Sequence, residues 1–483
     1  MKSCFMKTPL TLLLASAMLM GCQSTVTPDT QHKVTAVNVS QDTGQFVLPA
    51  YETLTLDNGL TLLLMPQTEV PLITVNAVIK AGSVNDSIGG IASMTADSLL
   101  LGAGAHSKQQ LEQKVDFLGA SLSSAGGREG SYVSADFMAK DADTMLGLVA
   151  DVLQHPRFAP QEYAKLRQRT MAELEQAKES PKSVIGRYFN KMIFGQHPYG
   201  NATSGDRASL EKLSLADVKA FHQQYYQPGN MAISVVGDFD PAQMKAKLQQ
   251  LFASWQATAT VPAQVRHALP VLDKTRVLLV DKPDAIETTF MIGGLGVARN
   301  NPDYVGLSVV NTILGGRFTS WLNDELRVNS GLTYGARSSF VSYRDGGVFQ
   351  ISTFTKQSST EQAIDLALST YQRLWNKGID EATLASAKAY VKGQFPPRYE
   401  TNGSLAGLLA DMYLYGFDAS YINAFQQRVD SLTVADTQRL INRYFPKDAL
   451  QLVLIGNAAN IAPIAAKYGQ VQQVEINAVG FGH

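Results

Sequence analysis

The feature that most constrains this chain is that it repeats itself. The run Leu213-Ser214-Leu215-Ala216-Asp217 recurs 219 residues later as Leu432-Thr433-Val434-Ala435-Asp436. Tyr225 is matched by Tyr444 and Gly237 by Gly456. In each copy a Ser or Thr opens a helical pattern. A turn containing Pro228 or Pro446 follows, and an apolar strand over 231–236 or 450–455 closes the unit. A period this long means duplicated domains rather than a solenoid.

The first half spans 46–262 and the second 274–475. The stretch between them, 263–273 with its flanks from 257, is rich in Ala, Thr, Val and Pro and suits a linker. Each half mixes strands and helices. Residues 61–65 and 72–80 read as strands around a turn, and 90–101, 109–118 and 142–153 as helices. In the second half, 360–377 places Ala363, Ile364, Ala367, Tyr371 and Leu374 on one stripe, with Gly378 as its cap. Val341 to Tyr343 and the run 348–354 flank Arg344-Asp345-Gly346-Gly347, a hairpin signal. The class is therefore α+β. With 45% apolar residues over 483 positions the chain can fill real cores, and a net charge of −1 gives no broad basic surface for nucleic acid.

Lys2 and Lys7 precede an apolar run over 10–20 that is too short to span a bilayer, and the run ends at Gly21-Cys22. This resembles a bacterial lipoprotein signal, 1–21, with Cys22 as the lipidated residue. Gln23 after that cysteine implies a periplasmic protein anchored to the inner leaflet of the outer membrane. Residues 22–45 read as a flexible tether. The one other cysteine, Cys4, lies in the signal, so the mature chain has no disulfide framework and no thiolate metal site.

Asn58-Gly59-Leu60, Val78 to Ser83, Gly90-Ile91-Ala92, and His197-Pro198-Tyr199-Gly200 with Gly205 resemble, in that order, the insulinase/pitrilysin-type (inverzincin) zinc peptidases. The resemblance implies two homologous α/β-sandwich halves of the mitochondrial processing peptidase type, forming a clamshell. Active members carry H-x-x-E-H on the helix after Gly-Leu-Ala. Its histidines, on one helical face, hold zinc, and the Glu between them is the base. This chain has Ser93-Met94-Thr95-Ala96-Asp97 there. Glu173 matches the family's downstream Glu ligand. Ser93 is a poor ligand and Ala96 cannot act as a base. The histidines, His32, His106, His155, His197, His222, His267 and His483, include no pair at helical metal spacing. The expectation is that this chain binds no cofactor.

A second segment of the resemblance is intact. Leu314-Gly315-Gly316-Arg317-Phe318-Thr319-Ser320 leads to Leu326-Arg327 and Gly331-Leu332-Thr333-Tyr334. In the family, the Arg and Tyr of this segment contact bound peptide at the zinc site of the opposite half. Their residue types suit that work, a planar guanidinium fork for carbonyl or carboxylate and a phenol for a developing oxyanion. The resemblance thus implies the non-zinc member of a heterodimer. Such a chain binds peptide or unfolded protein and supplies Arg327 and Tyr334 to a partner that carries zinc. Two alternatives stand beside it: a scaffold protein without proteolytic role, and an unconventional metallopeptidase using Asp97 and Glu173.

Overall fold

The computed structural model describes residues 46–482, so the signal 1–21, the lipidation of Cys22 and the tether 22–45 lie outside the described residues. The first half runs β1 (Glu52–Thr55), β2 (Thr61–Pro66), β3 (Leu72–Ile79), α1 (Ile91–Ser98) and a ribbon of β4 (Gly102–Ala103) and β5 (His106–Ser107). It continues α2 (Lys108–Phe117), β6 (Ser121–Gly126), β7 (Ser131–Met138), α3 (Ala142–Gln154), α4 (Pro160–Ala177) and α5 (Pro181–Phe194). It ends α6 (Arg207–Lys212), α7 (Leu215–Tyr225), β8 (Met231–Gly237) and α8 (Pro241–Phe252). The second half runs β9 (Arg276–Asp281), β10 (Glu287–Gly296), α9 (Tyr304–Asn311), α10 (Trp321–Asn323), β11 (Arg337–Ser342) and β12 (Gly347–Lys356). Then come α11 (Thr360–Asn376), α12 (Glu381–Gln394), α13 (Asn402–Tyr415), a helix Val434–Tyr444, β13 (Gln451–Gly456) and β14 (Gln470–Glu475).

The two halves build the same sheet. The strand orders are β1-β2-β8-β3-β7-β6 and β11-β12-β10-β13-β9-β14. In each, the strand that closes the repeat slots between two strands that follow one another in sequence, β8 between β2 and β3 and β13 between β9 and β10, parallel to the first of them and antiparallel to the second. Thus β2 and β3, although joined by a short turn, are not hairpin partners. The repeated sequence has a shared local cause. Ser214 accepts from the Asp217 amide at 3.2 Å while Asp217 accepts from the Ser214 amide at 2.9 Å, and Thr433 and Asp436 do the same at 3.1 and 3.0 Å.

The halves exchange a helix. Both faces of each central strand are buried, and the alternation shows by what. In β8, Met231, Ile233 and Val235 face the first half's own helices, whereas Ala232 and Val236 share a core with Leu405, Leu408 and Leu409 of α13. In the second sheet, Leu278, Val280, Val453 and Ile455 pack with Val184, Tyr188 and Phe189 of α5. Each half therefore covers one face of the other's sheet.

The equivalent hairpin tips meet between the halves. Glu129, buried in the β6–β7 tip, accepts from the Arg344 amide of the β11–β12 tip at 2.9 and 3.1 Å and from the Tyr199 hydroxyl at 2.5 Å. Arg128 returns the contact, its guanidinium lying over the Tyr343 ring at 5.2 Å. The stretch 257–272 has no regular structure and is fastened to both halves. Thr258 exchanges hydrogen bonds with Gln227 at 2.8 and 3.0 Å, Gln264 bonds Arg344, and Arg266 lies 3.6 Å from Asp345.

Candidate functional site

The helix α1, which carries the altered motif, is held as tightly as a catalytic helix would need to be. The carboxylate of Asp86 accepts from the amides of Gly90 at 2.7 Å and Ala92 at 3.0 Å and so caps its N-terminus. Gly90 has φ +88°, and a Cβ there would meet the Ser204 carbonyl at 2.8 Å. On its flank, a Cβ at Gly126 would lie 2.5 Å from Cα of Ser93, so β6 runs directly against the helix backbone. The sequence reading did not single out Asp86 or Gly126. An Asp four residues before a Gly-Gly helix start was the available signal for the first.

One face of α1 opens into a cleft of about 490 Å³ bounded by α2, α4 and β6. Asp97 and Arg169 line it, with Leu100, Leu111, Val115 and Leu122 supplying apolar wall. Ser93 hydrogen-bonds Asp97, yet burial outweighs that bond and the nearby Arg169 charge and pushes the Asp97 carboxyl up to about 6. Ala96 presents a buried methyl group. Glu173, on α4, is largely exposed, with Arg169 Nε 3.5 Å from its carboxylate. The structure thus brings Asp97 and Glu173 to one place, close enough for their charges to interact. It also puts there a cation that the sequence reading missed, although a basic residue one helical turn before Glu173 was visible.

Zinc does not fit these side chains. A catalytic site needs three nitrogen, sulfur or carboxylate ligands and a base. Here two carboxylates, one of them half-neutral near pH 6, share their surroundings with a guanidinium, and a methyl group stands at the base position. Among the described residues no three His, Cys, Asp or Glu side chains converge on a common point. His222 lies in α7, stacked on Tyr226 with ring centroids 4.8 Å apart, its Nε2 3.1 Å from the Leu153 carbonyl; burial lowers its pKa to about 4. His197 accepts from the Tyr199 amide at 3.1 Å.

The Arg327 and Tyr334 segment is irregular in a way that its sequence did not predict. Two π-helical stretches, Thr312–Gly316 and Asp324–Asn329, flank the loop through Phe318, and Arg327 sits in the second. Gly315 allows β11 to approach, since a Cβ would meet the Ser338 amide at 2.3 Å. Gly331, at φ +61°, ends the helical run. Tyr334 lies in the loop before β11, which starts three residues later, at Arg337. Threonines hold the residues around it. Thr353 donates to the Gly335 carbonyl at 2.9 Å and Thr355 to the Leu332 carbonyl at 2.8 Å. The Tyr334 side chain between them is left 83% exposed. The Arg327 guanidinium stacks 4.6 Å above the exposed Phe318 ring and forms no ion pair among the described residues. No hydrogen bond, ion pair or ring contact among those residues joins Arg327 or Tyr334 to the Asp97 cleft.

Comparison with known proteins agrees with this architecture. A family model described as the insulinase peptidase family M16 matches residues 63–207, and one described as the peptidase M16 inactive domain matches 212–391. Zinc protease PqqE of Helicobacter pylori is 27% identical over 83% of this chain and 91% of its own length. An uncharacterised zinc protease of Mycobacterium leprae is 24% identical over 87% of this chain and 94% of its own. A crystal structure described as a peptidase M16 inactive domain from Pseudomonas fluorescens superposes with a TM-score of 0.79 at 26% identity, covering 84% of this chain and 98% of that one. A protease structure from Helicobacter pylori, at 24% identity and a TM-score of 0.77, shares the fold. The two family matches follow one another along most of the chain, on a fold built from the same duplicated sheets, and the chain belongs to the insulinase-type M16 peptidase family.

Proposed function

We propose that this protein is a non-catalytic, peptide-binding subunit of an insulinase-type metallopeptidase, which presents Arg327 and Tyr334 to the active site of a zinc-bearing partner. One observation carries the reading. On the second half Tyr334 is exposed, and Arg327, half-buried against Phe318, forms no ion pair among the described residues, while the motif helix of the first half keeps its seating and lacks its ligands. An arrangement with nothing to act on in its own chain suits work in trans. Arg327, raised on Phe318, is free to pair with a peptide carbonyl or carboxylate. Tyr334 can donate to an oxyanion. The reading that Asp97 and Glu173 form an unconventional metal site is disfavoured by Arg169 beside them and by the methyl of Ala96. The proposed place of action is the periplasmic side of the outer membrane, with Cys22 as the anchor.

The test is reconstitution with a zinc-bearing relative encoded by the same genome. Cleavage of a quenched fluorescent peptide should require both chains. Arg327→Ala should lower kcat/KM about 100-fold and Tyr334→Phe about tenfold. Zinc-dependent cleavage by the isolated chain, or unchanged kcat/KM in both variants, would overturn the proposal.

A further inference from the structure

A second concave site lies away from the motif helix, where the end of α5 meets the edge of the second sheet. It encloses about 320 Å³. Lys191 and Gly195 from the first half face Lys274 and Arg276 from the second across it, and among the described residues no Asp or Glu lines it. Among the described residues none of these three cations forms an ion pair. Their partners are neutral oxygens. Lys191 donates to the Gly195 carbonyl at 3.1 Å and Lys274 to Gln470 at 3.4 Å. Arg276 donates to Gln451 at 2.8 Å and to the Met192 carbonyl at 2.9 Å. Three uncompensated cations around one hollow are unusual in a chain whose net charge is −1.

Capping of α5 explains part of this. The helix end carries roughly half a negative charge, and Lys191 and Arg276 each give one N–H to its last carbonyls. That leaves about two and a half positive charges uncompensated, the whole of Lys274 among them. The floor is apolar, formed by Leu278 and Phe481, both nearly fully buried. A carboxylate would satisfy one cation. A phosphomonoester carries −1.5 to −2, roughly what remains. Lysine serves phosphate as a point charge, and the floor accepts an apolar body.

We propose that this pocket binds a phosphate-bearing amphiphile, its headgroup held by Lys191, Lys274 and Arg276 and its apolar part laid on Leu278 and Phe481. The inference is independent of any partner subunit. The headgroup could belong to a soluble phosphate ester or to a membrane phospholipid, and one experiment tells them apart.

The full chain is titrated with n-octyl phosphate, with inorganic phosphate and with the uncharged octyl glucoside. Octyl phosphate should bind most tightly and lose affinity as salt rises. The double variant Lys191→Ala/Lys274→Ala should weaken it about tenfold or more; Lys274 is exposed and Lys191 half-buried, and neither belongs to an apolar core, so their loss leaves the cores intact. Gln470→Glu, which sets a carboxylate beside Lys274, should weaken it as well. Co-sedimentation with phosphatidylcholine vesicles that contain phosphatidic acid, and not with vesicles lacking it, would assign a lipid headgroup. Binding to octyl phosphate without co-sedimentation would assign a soluble ester. Equal affinity for octyl glucoside, undiminished affinity in both variants, or no saturable binding of any phosphate probe would overturn the proposal.

Discussion

At the scale of single residues, the motif position is a study in selective loss. What seats α1 is present: the Asp86 cap, the glycine at 90 and the flat contact at Gly126. What would hold a metal is not, and Arg169 brings a fixed charge instead. Asp97 is the residue through which this can be measured. Burial raises its folded-state pKa from 3.8 to about 6. Between those values the folded chain binds more protons than the unfolded one, so this group makes the fold less stable as pH climbs through that window, with the full cost above it. Asp97→Asn, which keeps the shape and the bond to Ser93, should therefore stabilise the protein by about 1 kcal/mol at about pH 8 and by progressively less toward about pH 4. Urea melts at the two pH values measure this. A loss of stability at the higher pH would mean that the attraction of Arg169 exceeds the cost of burial. The sequence made Ser93, Ala96, Asp97 and Glu173 legible because they sit at fixed motif positions. Arg169 was not, because its role arises from where α4 crosses α1.

At the scale of elements, the local chemistry was readable and the assembly less so. The capping boxes at Ser214 and Thr433 and the glycine at 378, with φ +68°, are local signals and lie where the sequence put them. The hairpin around Arg344 pairs Ser342 with Gly347. The π-helical stretches at Thr312–Gly316 and Asp324–Asn329 were not readable. An extra residue per turn leaves the apolar spacing nearly unchanged over so short a run. The strand β6, paired along its length with β7, runs directly against α1 at Gly126. Gly126→Ala would drive a methyl into the backbone of α1 at Ser93, which cannot move away like a side-chain tip. It should cost about 2 kcal/mol or more, read as a lower urea midpoint. An unshifted midpoint would show that β6 is free to slide along α1.

At the scale of the whole molecule, sequence periodicity told which faces of the strands were apolar but not whose helix would cover them. The continuous apolar run of β8, like that of β13, calls for burial on both sides. It is silent on whether α5 folds back on its own sheet or crosses to the other, because either choice buries the same side chains. The crossing has a measurable result. Trypsin acting on the exposed stretch 257–272 should cut after Arg266, and the two fragments should still elute together under native conditions, with the secondary structure of the intact chain. Fragments that separate without denaturant would show that the exchanged helices contribute little to cohesion.

The exchange also bears on how such a chain can be inherited. Once each copy of a duplicated domain has handed a helix to its neighbour, neither copy retains a complete fold of its own, so deleting one would leave the other with a bare sheet face. Splitting the gene in the stretch 257–272 is a different matter. It would yield two polypeptides, each stable only in the other's presence, that rebuild the same body. A duplication of this kind is hard to reverse by loss and easy to reverse by fission, and the boundary at which fission would be tolerated is already marked by the one segment between the halves that belongs to neither sheet.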